Sequence, residues 1–194
     1  KRLAPGVAIF GLSFIALFSG MLIAKDRASS FMLRLLASPM RPSEFILGYV
    51  LPMLPIAVGQ MIVCFAAALL WGLPLNWNIL LALVVSLPAA VFFIALGLLC
   101  GSVFNEKQVG GVCGALLTNV SAWLSGTWFD LSLVGGAFLK AANLLPFVHA
   151  VQAGRCALSG EYAQILPHLL WVLGYAAAVL WIATAAFTRK MREP

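Results

Sequence analysis

The sequence predicts an all-α integral membrane protein, a polytopic bundle of helices that cross the bilayer. Of the 194 residues, 63% are hydrophobic and 9% are charged, and the mean hydropathy is +1.04. In soluble domains about a quarter of the residues are charged. With so few charged residues, this chain could not bury its apolar surface in a water-soluble core. The apolar residues stand in continuous runs rather than alternating with polar ones, which argues against a membrane β-barrel.

Five apolar runs are long enough to cross the roughly 30 Å hydrocarbon core of a bilayer. They cover residues 3–24, 45–73, 79–103, 109–129 and 165–187. Pro52 and Pro55 interrupt the second run, and Pro88 lies inside the third. Prolines within a span usually kink the helix and are tolerated where neighbouring helices satisfy the backbone. We therefore expect one transmembrane domain over residues 1–194.

Residues 130–164 differ from these runs because glycine, proline and charged residues interrupt them. A sixth span over residues 131–151 would place Lys140 near the middle of the membrane, at a cost of about 2.5 kcal/mol or more. Two short helices at the membrane surface, or a shallow re-entrant pair, are favoured over that sixth span.

The basic residues predict the orientation. With five spans, loops 25–44 and 102–108 share a side with the tail 189–194. This side holds eight of the twelve basic residues, and the other side holds Lys1, Arg2, Lys140 and Arg155. The more positive side of a membrane protein is cytoplasmic. The first span then enters from outside, which favours a six-span parent with one helix upstream of residue 1.

Residues 25–44 form a basic elbow between the first two runs. Four polar residues of the elbow recur at helical spacing: Arg27, Ser30, Arg34 and Ser38. Pro39 and Pro42 then end the pattern. A short amphipathic helix on the membrane surface would present Arg27 and Arg34 outward. Two interpretations remain open, a docking surface for a cytoplasmic partner and a basic anchor that contacts anionic lipid.

Signals for catalysis are weak, and we do not expect an enzyme. The ATP-binding motif G-x-x-x-x-G-K-[ST], the zinc motif H-E-x-x-H and the nucleophile motif G-x-S-x-G are absent from the sequence. The four cysteines have no paired spacing, so no metal site is expected. The spans hold almost no ionisable residue, whereas an ion-driven carrier usually needs one. The energy for any transport therefore enters as force applied to the protein.

The fourth run carries a polar stripe. Thr118, Ser121 and Ser125 recur at i, i+3 and i+7 and share one helix face, with Asn119 beside it. These side chains either hold helices together, at about 0.6 kcal/mol each, or line a pathway in the bundle or at a subunit seam. The sequence leaves both interpretations open.

Two segments carry a family resemblance. The first is RLLASPMRPSEFILGYVL, residues 34–51. It resembles the segment after the second helix in permease subunits of the type-2 exporter class of ABC transporters. That family has a "leu-leu-x-ser-pro" turn, an acidic residue and then "ile-leu-gly". The matching residues are Leu35, Leu36, Ser38, Pro39, Glu44, Ile46, Leu47 and Gly48.

The second segment joins LSGTWFDLS, residues 124–132, to NLLPFVHAVQAGRCALSG, residues 143–160. It is similar to the external segment of the same family, with its "ser-gly" and aromatic cluster, its "leu-x-pro" turn and a short arginine-bearing helix. Asn143, Pro146, Arg155 and Gly160 stand at the corresponding places. The resemblance covers nearly the whole chain in the right order, but the family's first helix is not in this chain.

The resemblance implies a permease subunit that works as a homodimer or heterodimer with two cytoplasmic ATPase subunits. ATP and Mg²⁺ would bind to those ATPases, and no cofactor would bind to this chain. The elbow would be the coupling helix, and Lys107 would belong to a second cytoplasmic contact. The coupling residues would be Arg27, Arg34, Ser38, Pro39, Arg41, Glu44 and Lys107.

At the outer end, residues 130–164 would close the pathway, with Asn143, Pro146 and Arg155 as the gate. Closure of the ATPase dimer would push the elbows and switch the open side. Short loops and the lack of a fused ATPase favour a bacterial cytoplasmic membrane. A sparsely charged lining mildly favours an amphipathic or lipid-like cargo.

Two rival functions remain. An intramembrane enzyme would use His149, His168 and Glu161, and it predicts that these groups meet within hydrogen-bonding distance in a wet cavity. A non-transporting membrane scaffold or sensor predicts that no ATPase binds the chain.

Overall fold

The computed structural model describes residues 3–29 and 41–192, and every regular element in these ranges is a helix. The predicted all-helical bundle is confirmed. In chain order the helices are α1 Leu3–Arg27, α2 Pro42–Leu70, α3 Trp77–Val85, α4 Leu87–Val103, α5 Glu106–Val109, the π-helix Gly110–Leu117, α6 Thr118–Leu124, α7 Leu131–Val134, α8 Gly136–Leu144, α9 Pro146–Ser159 and α10 Tyr162–Arg192.

Four helical stretches in the described part of the chain are long and apolar enough to cross a membrane. They are Leu3–Arg27, Ser43–Leu70, Trp77–Val103 and Tyr162–Arg189, and they match four of the five predicted spans. The third combines α3 and α4, which are separated only by Ser86. The backbone N–H of Ser86 donates to the Ala82 carbonyl and that of Ala90 donates to the Ser86 carbonyl, both at 3.1 Å, so the helical path continues through this break.

The remaining predicted span, residues 109–129, is a helical path in three pieces of 4, 8 and 7 residues. It begins at a capping box in which Asn105 and Gln108 each accept the other's backbone N–H, at 2.9 and 3.1 Å. It ends at Leu124, earlier than predicted, because Gly126 takes a left-handed φ of +64° and turns the chain. The path is therefore neither a single α-helix nor as long as the apolar run.

Helix α1 lies at the centre of the bundle and packs against α2, α4, the π-helix and α9. Its contact with α4 is backbone against backbone. A methyl group at Gly97 would overlap the Ala16 carbonyl oxygen, and one at Gly101 would overlap that of Gly20. The small-residue pair in α4 thus lets two helices meet without side chains between them.

Residues 130–164 form short helices instead of a sixth span. Gly135, with φ +62°, separates α7 from α8, and Pro146 opens α9. Lys140 is exposed on α8, whereas α9 buries nine of its fourteen residues between α3, α10 and α1. The structure thus agrees with the short helices predicted for this segment and contradicts a single span over residues 131–151.

The loops that the topology places on one side do lie at one end of the molecule. Arg27 at the end of α1 donates to the carbonyls of Ser102 and Phe104 at the end of α4. Phe45 at the start of α2 stacks on Phe187 of α10, with ring centroids 4.3 Å apart. We call this the elbow end. The opposite end, which holds residues 71–76 and 125–161, is called the distal end.

Candidate functional site

The candidate site has three parts: the elbow end, the polar stripe of the fourth predicted span, and the distal end. At the elbow end the structure describes residues 25–29 and 41–44. The predicted coupling residues Arg34, Ser38 and Pro39 lie outside the described residues. The described residues comprise the end of α1, where the elbow begins, and the start of α2, where it ends.

Arg27 is half-buried and its guanidinium points at α4. Nη1 donates to the Ser102 carbonyl, and Nη2 donates to the Phe104 carbonyl at 3.1 Å. The Ser102 carbonyl belongs to the last turn of α4 and the Phe104 carbonyl to the residue after it, where backbone acceptors lack partners in the helix. The predicted outward orientation of Arg27 is therefore wrong, because uncapped carbonyls on a neighbouring helix attract its fork of donors.

Asp26, which the sequence analysis did not single out, is hydrogen-bonded to α2. Its Oδ2 accepts from the Tyr49 hydroxyl at 2.7 Å, and its backbone carbonyl accepts from the Ser29 hydroxyl at 2.7 Å. A single carboxylate between two basic residues at the end of an apolar run is the sequence signal that could have identified it.

Glu44 and Arg41 begin α2. The Glu44 carboxylate accepts the backbone N–H of Arg41 at 3.0 Å, and a negative charge is favourable in the first turn of a helix. The Arg41 side chain is exposed. Lys107 is also exposed, on α5 at the same end of the molecule. These two cations are available to a partner that approaches the elbow end.

The polar stripe divides into buried and exposed members. Ser121 and Ser125 are buried and donate within their own helix, to Thr118 and Ala122. Thr118 donates to the Cys113 carbonyl five residues earlier, at 3.0 Å, as a π-helix allows. Asn119 is exposed, and its Nδ2 donates to the Ala115 carbonyl at 2.7 Å.

Around Asn119 the exposed side chains are apolar. Leu116 and Trp123, one helical turn before and after it, are 63% and 61% exposed. The neighbouring helix α1 leaves its own apolar stripe uncovered, formed by Val7, Phe14, Phe18 and Leu22. We call these two stripes, together with Asn119, the open face.

At the distal end, the predicted gate residues lie on two helices. The backbone carbonyl of Asn143 accepts from His149 Nε2 at 2.8 Å. Pro146 is buried in the first turn of α9. Arg155 donates to the Gly126 carbonyl at 2.8 Å and so ties α9 to the turn after α6. In that turn the Thr127 hydroxyl lies 2.7 Å from the Ser125 hydroxyl.

A cavity of about 550 Å³ opens beside Arg155. Its walls combine aromatic rings, two carboxylates and two amides. The lining includes Trp128, Phe129, Asp130, Gln152, Glu161 and Gln164. Gate residues Asn143 and Pro146 are not among its lining residues, so Arg155 is the predicted gate residue that faces this space.

The two histidines of the rival enzyme hypothesis do meet. His149 Nδ1 lies 2.8 Å from His168 Nδ1, and the Trp171 ring packs against His149 at 5.3 Å between centroids. Since His149 Nε2 must donate to the Asn143 carbonyl, neutral His149 accepts from His168. Glu161, however, lines the cavity and has no described hydrogen bond to either ring. The histidine pair is therefore a hydrogen bond that joins α9 to α10.

Metal-binding chemistry finds no support in residues 3–29 and 41–192. They contain no group of three or more His, Cys, Asp or Glu side chains that could hold a metal ion. The thiols of Cys64, Cys100, Cys113 and Cys156 are free and are buried or half-buried.

Comparison with known proteins identifies the family. The family described as "ABC-2 family transporter protein" matches residues 3–185. A curated relative, "ABC transporter G family member 20" of Dictyostelium discoideum, is 25% identical over 194 residues. The match covers 97% of this chain and 27% of that relative. No solved structure matches the chain. The chain, a multi-pass membrane protein, therefore belongs to the ABC-2 family of transporter proteins as a membrane component.

Proposed function

We propose that this chain is the permease subunit of an ATP-driven exporter and that a separate cytoplasmic ATPase powers it by alternating access. The observation that carries the proposal is the gathering of both predicted ATPase contacts at one end. Arg27 directly bonds the end of α1, where the elbow starts, to the end of α4, where the loop with Lys107 starts. The family match supports the same function.

The elbow would seat in a groove of the ATPase, with Arg41 and Lys107 facing it. Both cations are exposed, and exposed cations attract acidic surfaces of a partner at long range. Arg34, Ser38 and Pro39 would complete this contact, and Glu44 would hold the first turn of α2 in place. ATP and Mg²⁺ would be bound by the ATPase.

The open face would be covered by a second permease subunit. Asn119 Oδ1 has no hydrogen-bond partner among the described residues, and a polar group exposed to lipid is costly. Contact with a second subunit, or with cargo moving along the seam, removes that cost. Asn119 is thus the member of the polar stripe that we assign to the pathway, while Thr118, Ser121 and Ser125 shape its helix.

Cargo would leave at the distal end. The cavity beside Arg155 lies where α6 ends and α9 closes over the bundle. Its mixture of aromatic and polar walls suits an amphipathic molecule. We place the assembly in the cytoplasmic membrane of a bacterium, with the elbow end inside.

Affinity purification tests the proposal. The full-length protein, tagged at its distal end and isolated from its own cells in mild detergent, should bring down an ATPase that carries Walker motifs. Replacing residues 30–40 by a Gly/Ser segment of equal length removes the central part of the elbow, including Arg34, Ser38 and Pro39, but keeps Arg27, Arg41 and Glu44, and the ATPase should then be lost.

The matched control replaces the turn at residues 73–76, at the distal end, in the same way and should keep the ATPase. Retention of the ATPase after the elbow is replaced would contradict the coupling assignment. Absence of any ATPase from the wild-type protein would favour the scaffold hypothesis.

A further inference from the structure

We infer that Asp26 and Arg27, in the last turn of α1, act as a transmission clamp that makes α1, α2 and α4 move as one body when the ATPase pushes on the elbow. The inference rests on the proposed function and assigns Arg27 a positioning role inside the membrane domain. Arg27 would not contact the ATPase. Asp26 had no assigned role.

The first half of the clamp is the contact of Arg27 with the end of α4. One guanidinium reaches the carbonyl of Ser102, in the final turn of α4, and the carbonyl of Phe104, the residue that follows α4. A cation is favoured at a helix carboxyl terminus by the helix dipole. The planar fork of arginine holds two acceptors at once, and the point charge of lysine cannot hold them in the same geometry.

The second half of the clamp is the contact of Asp26 with α2. The Tyr49 hydroxyl donates to Asp26 Oδ2 at 2.7 Å, and the Tyr49 ring is buried against Phe45. Phe45 stacks in turn on Phe187 of α10. Two successive residues in the last turn of α1 are therefore bonded to two different neighbouring helices.

Below the clamp, α1 and α4 are in close backbone contact. Gly20 and Gly97 are so close that a methyl group at Gly20 would lie 2.7 Å from the Gly97 carbonyl oxygen. The Ser19 hydroxyl adds a bond to the Ile94 carbonyl at 3.3 Å. Close-packed helices move as units because packed interfaces are not continuously deformable.

The far end of α1 reaches the distal end of the molecule. A methyl group at Gly6 would lie 2.5 Å from the Thr127 side chain, and one at Gly154 would lie 2.9 Å from Pro5. Thr127 lines the cavity, and Gly154 precedes Arg155 on α9. Helix α1 has 25 residues, so at 1.5 Å per residue it carries a push from the elbow over about 37 Å to the gate.

The test uses the complete permease–ATPase complex in nanodiscs, with the four native cysteines replaced and a fluorophore on Leu133→Cys. Leu133 is 81% exposed at the distal end. Trapping the ATPase with ADP and vanadate should change the fluorescence of the otherwise unaltered protein. Arg27→Gln should keep ATP hydrolysis and ATPase binding but reduce the change roughly tenfold, within the range of ordinary allosteric couplings.

The conservative variant Arg27→Lys should rescue part of the change, and Lys140→Gln, which removes an exposed cation from the distal end, should leave it intact. A full fluorescence change in Arg27→Gln would overturn the inference. Loss of ATPase binding in Arg27→Gln would also overturn it, because Arg27 would then be a direct contact.

If Arg27→Gln fails to fold, the same measurement is made on Tyr49→Phe. This variant removes only the hydroxyl that donates a hydrogen bond to Asp26. Hydrolysis with a reduced fluorescence change supports the clamp, and an unchanged response overturns it. Failure of the proposed function is distinguishable, because the unaltered protein would then bind no ATPase and give no response to nucleotide.

Discussion

At Gly97 the backbones of α4 and α1 are in direct contact. The Ala16 carbonyl and the Ser19 hydroxyl both occupy the space that a side chain at this position would need. Glycine spacing in the sequence indicated that a close helix contact was possible. It did not indicate that α1 would be the partner, because that depends on residues about 80 positions away in the chain.

Substitution of Gly97 tests this packing. Gly97→Ala should destabilise the protein by about 1–3 kcal/mol, because the methyl group must displace backbone and not a flexible side chain. The measurement is thermal unfolding of the purified protein in detergent.

Gly59→Ala is the matched control, since nothing lies within 4 Å of a methyl group there. In a helix interior it should raise stability by up to about 1 kcal/mol. Equal unfolding temperatures for the two variants would show that α1 and α4 are not in backbone contact.

At the scale of the element, hydropathy predicted α1, α2, α4 and α10 well and the fourth span less well. A run of apolar residues shows that a segment belongs in the membrane. It does not distinguish an α-helix from a π-helix, because the two differ by a single residue per hydrogen-bonded ring. The Thr118 bond to Cys113 stabilises the π form and depends on local geometry.

The same stretch exposes Asn119, and this leads to a prediction about the open face. In a variant whose four native cysteines are replaced, Asn119→Cys and Trp123→Cys should each form a disulfide-linked dimer when membranes are treated with an oxidant. The reason is that the open face is expected to lie against a second permease subunit.

Trp181→Cys on α10 is the control, because it is 74% exposed and lies on a different helix. It should remain monomeric. Cross-linking at position 181 without cross-linking at positions 119 and 123 would place the subunit seam on α10 instead.

For the whole molecule, the central result is that α1 connects the two ends. The elbow end gathers the ends of four helices, and the distal end gathers short helices and a cavity. An exporter moved by force at one face needs such a connection. Four spans with few internal charges and strong backbone packing agree with that requirement.

The orientation of the whole molecule is a further prediction. Gln108→Cys at the elbow end should react with a membrane-impermeant maleimide only after the cells are permeabilised. Leu75→Cys and Leu133→Cys at the distal end should react in intact cells.

The physical reason is the excess of basic residues at the elbow end, which are retained on the cytoplasmic side. Labelling of position 108 in intact cells would show that the protein has the opposite orientation in the membrane. It would also place the elbow out of reach of any cytoplasmic ATPase.

The sequence by itself determined the class of protein, four of the five predicted spans, the short helices of residues 130–164 and the family. These properties depend on local composition, since a membrane span must be apolar and must satisfy its own backbone. Only the tertiary structure decided that Arg27 turns inward, that Asp26 meets Tyr49 and that His149 meets His168. Each of these contacts joins residues that are at least 19 positions apart. The packing of the bundle sets which neighbouring helix a polar side chain contacts. Helical periodicity can assign only the face of its own helix on which the side chain lies.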